Sequence, residues 1–245
     1  MTSVVTDAWR TIVPGPDDRN GPLAPLLLSL TVVTGLVDAF SYLALGHVFV
    51  ANMTGNVVFL AFALAGAGGF SLLASLAALA AFSVGALVGG RLSASFGGHR
   101  GRLLLLVSAL EALLVATATV VVALVGHPGT GAARYVLIAL LSLSMGAQNA
   151  MARTLAVPDL TTTVLTLTIT GISADSRLAG GGGSKAGRRL VSALSMFVGA
   201  LTGASLVLRV SRAAAILVAL AVLCAIAVAA AWLSRSDRSW VHPPT

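Results

Sequence analysis

Charged residues are scarce in this chain: 9% of its 245 residues are Asp, Glu, Lys or Arg, against about 25% in a typical soluble domain. Aromatic residues make up only 5%, whereas hydrophobic residues make up 57%. A chain with so little charge does not fit an ordinary soluble globular domain. The composition therefore indicates an integral membrane protein.

Cysteine and clustered catalytic groups are also missing. The single Cys224 excludes an internal disulfide, and we expect it to fill core space or to face lipid. The four histidines lie in separate connectors or in the C-terminal tail, so they predict no metal site. The stretch "GGGGSKAG" lacks the Gly-Lys-Ser/Thr order of a phosphate-binding loop. We therefore expect no enzyme activity and no cofactor.

The charge that is present is mostly positive, with 15 Lys and Arg residues against 8 Asp and Glu. These basic residues flank apolar runs and are not interleaved with aromatic residues, so they do not indicate nucleic-acid binding. Short positively charged connectors stay on the cytoplasmic side of a membrane. The charge is therefore predicted to orient the chain in a lipid bilayer.

Six apolar runs have the length of a membrane-spanning helix, about 17 to 25 residues. They are 23–45, 70–90, 103–125, 134–151, 190–208 and 213–233. Two further runs, 54–67 and 157–172, are too short or too polar, which is typical of re-entrant or broken helices. The sequence thus predicts an all-α polytopic bundle of six spans with two interrupted segments.

The basic connectors decide how many runs cross. The most basic ones, 91–102 and 177–189, both belong on the cytoplasmic side. Six spans meet this condition and place both tails, 1–22 and 235–245, in the cytoplasm. A seven-span arrangement in which 54–67 also crosses fits the same connectors and remains an alternative. Residues 1–22 are expected to form a mobile tail, because they hold no apolar run of signal-peptide length.

Three pairs of motifs recur in the same order in the two parts of the chain. "GLVDA" at 35–39 matches "GAQNA" at 146–150, "VANMT" at 50–54 matches "VPDLT" at 157–161, and "VGALVG" at 84–89 matches "VGALTG" at 198–203. They define two repeats, 23–126 and 134–234, each with three spans. An odd number of crossings turns the second copy upside down, which predicts the inverted repeat found in many secondary transporters.

Asp38 is the strongest candidate for chemistry, because it lies well inside an apolar run and its repeat partner is the neutral Asn149. Ionisable groups at membrane depth usually face a bundle interior or an aqueous cavity. Asp38 is therefore predicted to bind a proton or a cation; a carboxylate that only hydrogen-bonds a neighbouring helix is the alternative. Glu111 is nearer the start of its helix, where we expect it to reach Arg102 or the lipid headgroups.

Polar residues mark both interruptions. A broken helix frees backbone groups that polar side chains, water or a ligand must satisfy. We therefore predict that these residues, together with Asp38, line a pathway for a small solute or ion. The set comprises Asn52, Thr54, Gly55, Asn56, Gln148, Asn149, Asp159, Thr161 and Thr162. The alternative is a water-exposed turn in which Thr54 begins the next helix.

Glycines one helical turn apart are predicted to let helix backbones approach closely. They are Gly85 with Gly89, and Gly199 with Gly203. We expect them to lie between the two repeats, with a homodimer contact as the alternative.

The stretch "GLVDAFSYLALGHVFVANMTGNVVFLAFALAG", residues 35–66, resembles the signature of the YoaK-like family of bacterial integral membrane proteins. The matching motifs are Gly-x-x-Asp-Ala at 35–39, Phe-Val-Ala-Asn-Met-Thr-Gly-Asn at 49–56 and Gly-x-Gln-Asn-Ala at 146–150. The likeness covers most of 23–233. It implies a multi-pass protein of the bacterial inner membrane and implies no activity. The second copy departs from the first, with Thr162 and Thr163 where Gly55 and Asn56 stand.

Two functions are compatible with these features. The repeats and polar interruptions favour a transporter or channel for a small solute or ion. The alternative is a non-transporting membrane scaffold or lipid-binding accessory protein, whose arginine-rich connectors hold anionic headgroups or a partner.

Overall fold

The structure is a computed structural model that describes residues 4–15, 18–125, 128–158, 160, 170–171, 173–174, 186–235 and 239–241. No strand occurs in these residues. The helices are α1 (Val4–Ile12), α2 (Leu23–Ala44), α3 (Met53–Leu64), α4 (Leu72–Phe96), α5 (Arg100–Val125), α6 (Gly131–Leu155), α7 (Ala186–Arg209) and α8 (Arg212–Leu233), followed by a 3-10 helix, Ser239–Val241.

Six of these helices, α2 and α4 to α8, are long and apolar enough to cross a membrane. They contain 22 to 26 residues, and at about 1.5 Å per residue they exceed the roughly 30 Å of a bilayer's hydrocarbon core. The predicted all-α bundle with six spans is confirmed. Most helix ends lie beyond the predicted runs, because the helices continue into terminal charged residues such as Arg100 and Arg209.

The helix α3 corresponds to the first interrupted run. Its 12 residues extend about 18 Å, which is too short to cross a bilayer. His47 precedes α3 and Gly69 follows it, yet a ring nitrogen of His47 lies 3.1 Å from the Gly69 carbonyl oxygen. Both ends of the segment thus lie at one face of the bundle, as in the six-span arrangement and unlike the seven-span alternative. Most of the second run, 157–172, lies outside the described residues.

The helices pair across the two parts of the chain. In the first half, α2 packs most extensively on α7, and α4 packs most extensively on α6. The third spans of the two halves, α5 and α8, pack on each other. The first span of each half therefore packs on the second span of the other half.

Glycines allow two of these contacts. A Cβ atom on Gly85 would overlap the Leu143 carbonyl of α6, and one on Gly199 would overlap the Val32 carbonyl of α2. Gly89 and Gly203 lie one turn further along the same contacts, against Ala147 and Leu36 respectively. The structure thus places all four predicted packing glycines between the halves of one chain. The helix backbones come so close at these four positions that only glycine, which has no side chain, fits there.

Arg100 joins several chain segments at one end of the bundle. Its guanidinium donates to the carbonyl of Leu155 at 2.7 Å, where α6 ends, and to the carbonyl of Trp240 at 3.4 Å. The ends of α4, α6 and α8 and the start of α5 therefore meet here. We call this end the basic face, because it also carries the exposed side chains of Arg91, Arg102 and Arg153.

The terminal segments are folded onto the basic face. Residues 1–22 were expected to form a mobile tail, whereas the structure has α1 packed on the start of α7. The Asp7 carboxylate accepts the backbone N–H of Arg188 at 3.0 Å. In the C-terminal segment Trp240 is 4% exposed and lies against Gly21. Composition does not reveal these elements, because their stability depends on contacts with residues far away in the sequence.

Candidate functional site

The loop between α2 and α3 folds back along α2 and is held there by Asp38. The Asp38 carboxylate is 3% exposed, and its Oδ1 accepts the backbone N–H groups of Val50 at 3.0 Å and Ala51 at 2.8 Å. The backbone N–H of Asn52 also lies near this carboxylate, while Oδ2 makes no hydrogen bond of good geometry in the described residues. Asp38 precedes the end of α2 by six residues, so the loop returns about 9 Å along the helix.

Asn56 holds the same loop from the other side. Its Oδ1 accepts the backbone N–H of Phe49 at 3.0 Å, and its Nδ2 donates to the carbonyl of Phe49 at 2.7 Å. The side chain is fully buried. An amide suits this position because it both donates and accepts. Asp38 and Asn56 together satisfy backbone groups that the lipid could not satisfy.

The other polar residues of this interruption do not converge with Asp38. The side chains of Asn52 and Thr54 are exposed, and neither caps α3 through a side-chain hydrogen bond. Gly55 is required for packing, because a Cβ atom there would come within 2.8 Å of the Phe49 ring. Of the five predicted lining residues around α3, Asp38 and Asn56 are buried and hold the loop, Asn52 and Thr54 are exposed, and Gly55 allows close packing.

An aromatic cluster, which was not predicted from the sequence, anchors α3 to the rest of the bundle. Phe59 of α3 stacks on Phe49 and on Phe70, with ring centroids 5.6 and 5.1 Å apart. Tyr42 of α2 stacks on Phe49 at 5.0 Å. Aromatic residues are few in this chain. The closeness of Phe49, Phe59 and Phe70 in sequence, around one short helix, was the signal that could have revealed this cluster.

A second polar region lies between α2 and α6. The Gln148 side chain donates from Nε2 to the Thr34 hydroxyl at 2.9 Å, and both residues are fully buried. The Thr34 hydroxyl in turn donates to the Leu30 carbonyl at 3.0 Å, so its lone pair is free to accept from Gln148. This geometry leaves the Gln148 Oε1 atom without a hydrogen-bond donor among the described residues.

Polar groups continue along the same two helix faces. Asp38 lies four residues after Thr34, and Ser144 lies four residues before Gln148, so each pair shares a helix face. In antiparallel helices joined by the Thr34–Gln148 hydrogen bond, Asp38 and Ser144 fall at the same depth, about 6 Å further along. The Ser144 hydroxyl is fully buried and has no partner in the described part of the chain. We call these four residues the α2/α6 site: Thr34, Asp38, Ser144 and Gln148.

The structure places the remaining predicted residues differently. The Asn149 Nδ2 donates to the Met145 carbonyl at 2.9 Å along its own helix. Asp159, Thr161 and Thr162 lie outside the described residues. Thr34 and Ser144 were missed because threonine and serine in apolar helices commonly bond their own backbone.

Glu111 does not reach Arg102 or the lipid headgroups, and that expectation was wrong. The side chain is fully buried, and both carboxylate oxygens lack a hydrogen-bond partner in the described residues. Glu111 shares its helix face with Arg100, which points into the bundle at the basic face. The sequence position near the helix start was misleading, because the helix begins at Arg100 and Glu111 lies about 16 Å along it.

Comparisons with known proteins identify the family. Residues 26–229 match a family described as "Protein of unknown function (DUF1275)". The chain is similar to the UPF0700 transmembrane protein YoaK of Bacillus subtilis (strain 168), at 36% identity over 152 residues, which are 61% of this chain and 65% of that protein. No solved structure shows a significant match. With six spans in the structure and a transmembrane relative, the chain is a membrane protein in contact with the lipid bilayer, and it belongs to the family Protein of unknown function (DUF1275).

Proposed function

We propose that the protein moves a small solute or ion across the membrane and that the α2/α6 site binds it on the way. The supporting observation is that the α2/α6 site contains three buried polar atoms without hydrogen-bond partners among the described residues: Asp38 Oδ2, Ser144 Oγ and Gln148 Oε1. Buried polar groups are normally hydrogen-bonded, because a buried group without a hydrogen-bond partner costs about 1–3 kcal/mol of stability. A bound solute, ion or water satisfies such groups.

The position of the site supports this proposal. The helices α2 and α6 are the first spans of the two halves, and they approach each other much less closely than α2 approaches α7. The long Gln148 side chain reaches Thr34 across this distance. Arg134 of α6 donates to the Leu45 carbonyl at 2.6 Å, so the loop held by Asp38 also contacts α6. Inverted-repeat transporters bind their substrates near the bilayer midplane at the interface between the repeats, and α2 and α6 meet at the corresponding place in the proposed arrangement.

The repeat symmetry supports the same reading. Each half contributes three spans, and the first span of each half packs on the second span of the other. A twofold axis in the membrane plane, between α2 and α6, generates this exchange. We propose the inverted arrangement on this basis, with the basic face in the cytoplasm and the protein in the inner membrane of a bacterial cell.

The test is a flux measurement on the full chain in lipid vesicles, against a panel of ions and small solutes. We compare Gln148→Leu, which removes the buried amide, with Thr117→Val, which alters an exposed hydroxyl of α5 that bonds only its own helix. The proposal expects flux above empty vesicles for wild type and Thr117→Val, and its loss in a folded Gln148→Leu variant. Wild-type flux equal to that of empty vesicles across the panel rejects transport, and unchanged flux in Gln148→Leu rejects the site.

A lipid-binding scaffold is the second candidate, and the exposed arginines of the basic face favour it. Arg188 is unsuited to test it, because its backbone N–H bonds Asp7 and its side chain donates to Thr11 at 3.4 Å. Replacing Arg91, Arg102 and Arg153 with Gln leaves these contacts in place. The scaffold function expects loss of co-purified anionic lipid in this variant while Gln148→Leu has no effect; the reverse pattern rejects it.

A further inference from the structure

Glu111 lies at the centre of the buried face of α5. This helix face also carries Leu104, Val107, Val115 and Ala118, all of which are at most 1% exposed. Glu111 itself is 0% exposed. Arg100 and Leu155 set the register of α5 against α6, so Glu111 lies at about the depth of Ser144, near the middle of both helices. A carboxyl group is therefore buried near the middle of the bilayer, on a helix face that is otherwise apolar apart from Ser108.

No cation of the described chain compensates this carboxyl group. The charged or titratable side chains of the helices packed on α5 are Arg91 in α4, Arg134, Tyr135 and Arg153 in α6, and Arg212 and Cys224 in α8. All but Cys224 lie near helix ends, and Cys224 is exposed. The α5 cations Arg100 and Arg102 lie at the basic face. A buried ionised carboxylate without a partner costs many kcal/mol, and such a group takes up a proton instead.

The surroundings also do not suit a metal cation. Sodium and calcium ions need several oxygen ligands, about six to eight for calcium. On the face of α5 that carries Glu111, the nearest additional oxygen of a side chain is the hydroxyl of Ser108, which is buried and without a partner in the described residues. The other neighbours on that face are hydrocarbon. Even with the buried hydroxyls of Ser142 and Ser144 near the same depth on α6, these side chains offer fewer oxygens than a calcium ion needs, so Glu111 suits a proton better.

We propose that Glu111 is a proton-binding site within the membrane that shares no residue with the α2/α6 site. The carboxylate takes a proton from water to become a neutral carboxylic acid, and it returns that proton to water when it ionises. No further reactant is required. The site does not depend on the proposed transport, since it follows from the burial of Glu111 and from the charges around it.

The test uses the fact that Glu111 is the single glutamate of the sequence. The full chain is made by cell-free synthesis with glutamate that carries an isotope label in its side-chain carboxyl group, and it is reconstituted in lipid vesicles. The isotope-shifted infrared band then reports on this side chain alone, without a mutation. The proposal expects the carbonyl band of a protonated acid at neutral pH. The band of an ionised carboxylate at neutral pH, with or without added sodium, overturns it.

A second measurement follows stability against pH in the wild type and in Glu111→Gln. The folded chain holds a proton that the unfolded chain releases to water at neutral pH, so the folded state binds one more proton and stability falls as pH rises. Glutamine has the same shape but does not titrate. The proposal expects Glu111→Gln to have a shallower fall than the wild type. Equal slopes in the two proteins contradict it.

Discussion

The carboxylate of Asp38, inside α2, accepts the backbone N–H of Ala51 at 2.8 Å, in the loop that leads into α3. These residues are thirteen positions apart in sequence, and the contact returns the chain toward the middle of the bundle. An acceptor-only carboxylate is suited to hold two N–H groups, those of Val50 and Ala51. In the second of the two proposed repeats the corresponding positions are Asn149 and Pro158. Proline has no N–H group, so Asn149 has one backbone donor fewer to accept from than Asp38 has.

Removing the Asp38 carboxylate is expected to free this loop. Asp38→Ala leaves the buried N–H groups of Val50 and Ala51 without acceptors, at about 1–3 kcal/mol each. Thermal unfolding in detergent measures the loss. Thr54→Ala is the control, because its exposed side chain makes no cap, and we expect it to stay within about 0.5 kcal/mol of wild type. Equal effects of the two substitutions would show that the carboxylate does not hold the loop.

The two asparagines of the interruption are expected to respond differently to the same change. Asn56→Asp keeps an acceptor for the Phe49 N–H but loses the donor to the Phe49 carbonyl and buries a charge, so it should destabilise by more than about 2 kcal/mol. Asn52→Asp places an exposed carboxylate at the start of α3, where the helix dipole tolerates it. Chemical unfolding of both variants distinguishes them. A stable Asn56→Asp protein contradicts the hydrogen bonds described here.

Adjacent glycines in α4 provide a matched pair. A Cβ on Gly89 would come within 2.6 Å of the Ala147 carbonyl, whereas a Cβ on Gly90 would meet nothing within 4 Å. Gly89→Ala should therefore cost about 1–3 kcal/mol through overpacking, and Gly90→Ala should stabilise the helix by about 0.5–1 kcal/mol. Unfolding midpoints that move in the same direction would refute the close contact of α4 with α6.

Arg134 is expected to close the end of the bundle opposite the basic face. Its guanidinium donates to the carbonyls of Leu45 at 2.6 Å and Gly46 at 3.2 Å. Arg134→Lys keeps the charge but cannot donate to both in the same geometry. We expect a cysteine placed at His47 to react faster with a water-soluble thiol reagent in this background. The control is Arg209→Lys, at an exposed helix end, which should leave the reaction rate unchanged.

Much of the fold is predictable because span length and apolarity are local properties. The six spans, the short α3 and the close approach at Gly85 and Gly199 all follow from composition and spacing. The role of Asp38 was not decided by sequence, since its acceptor geometry depends on a loop that folds back along α2. Glu111 was assigned to the wrong environment because its depth depends on where α5 begins. The partners of Thr34 and Gln148 depend on the register between two halves, which no local pattern specifies.

The proposed function requires that the chain crosses the membrane six times, with the α3 segment returning to the face from which it starts. Single cysteines at His47, Gly68 and Gly98, after Cys224→Ser, measure this directly through labelling by a reagent that does not cross the membrane. All three positions are outside helices, and Gly68 and Gly98 have open space around them. We expect His47 and Gly68 to be labelled from one side and Gly98 from the other. Labelling of His47 and Gly68 from opposite sides would contradict the account.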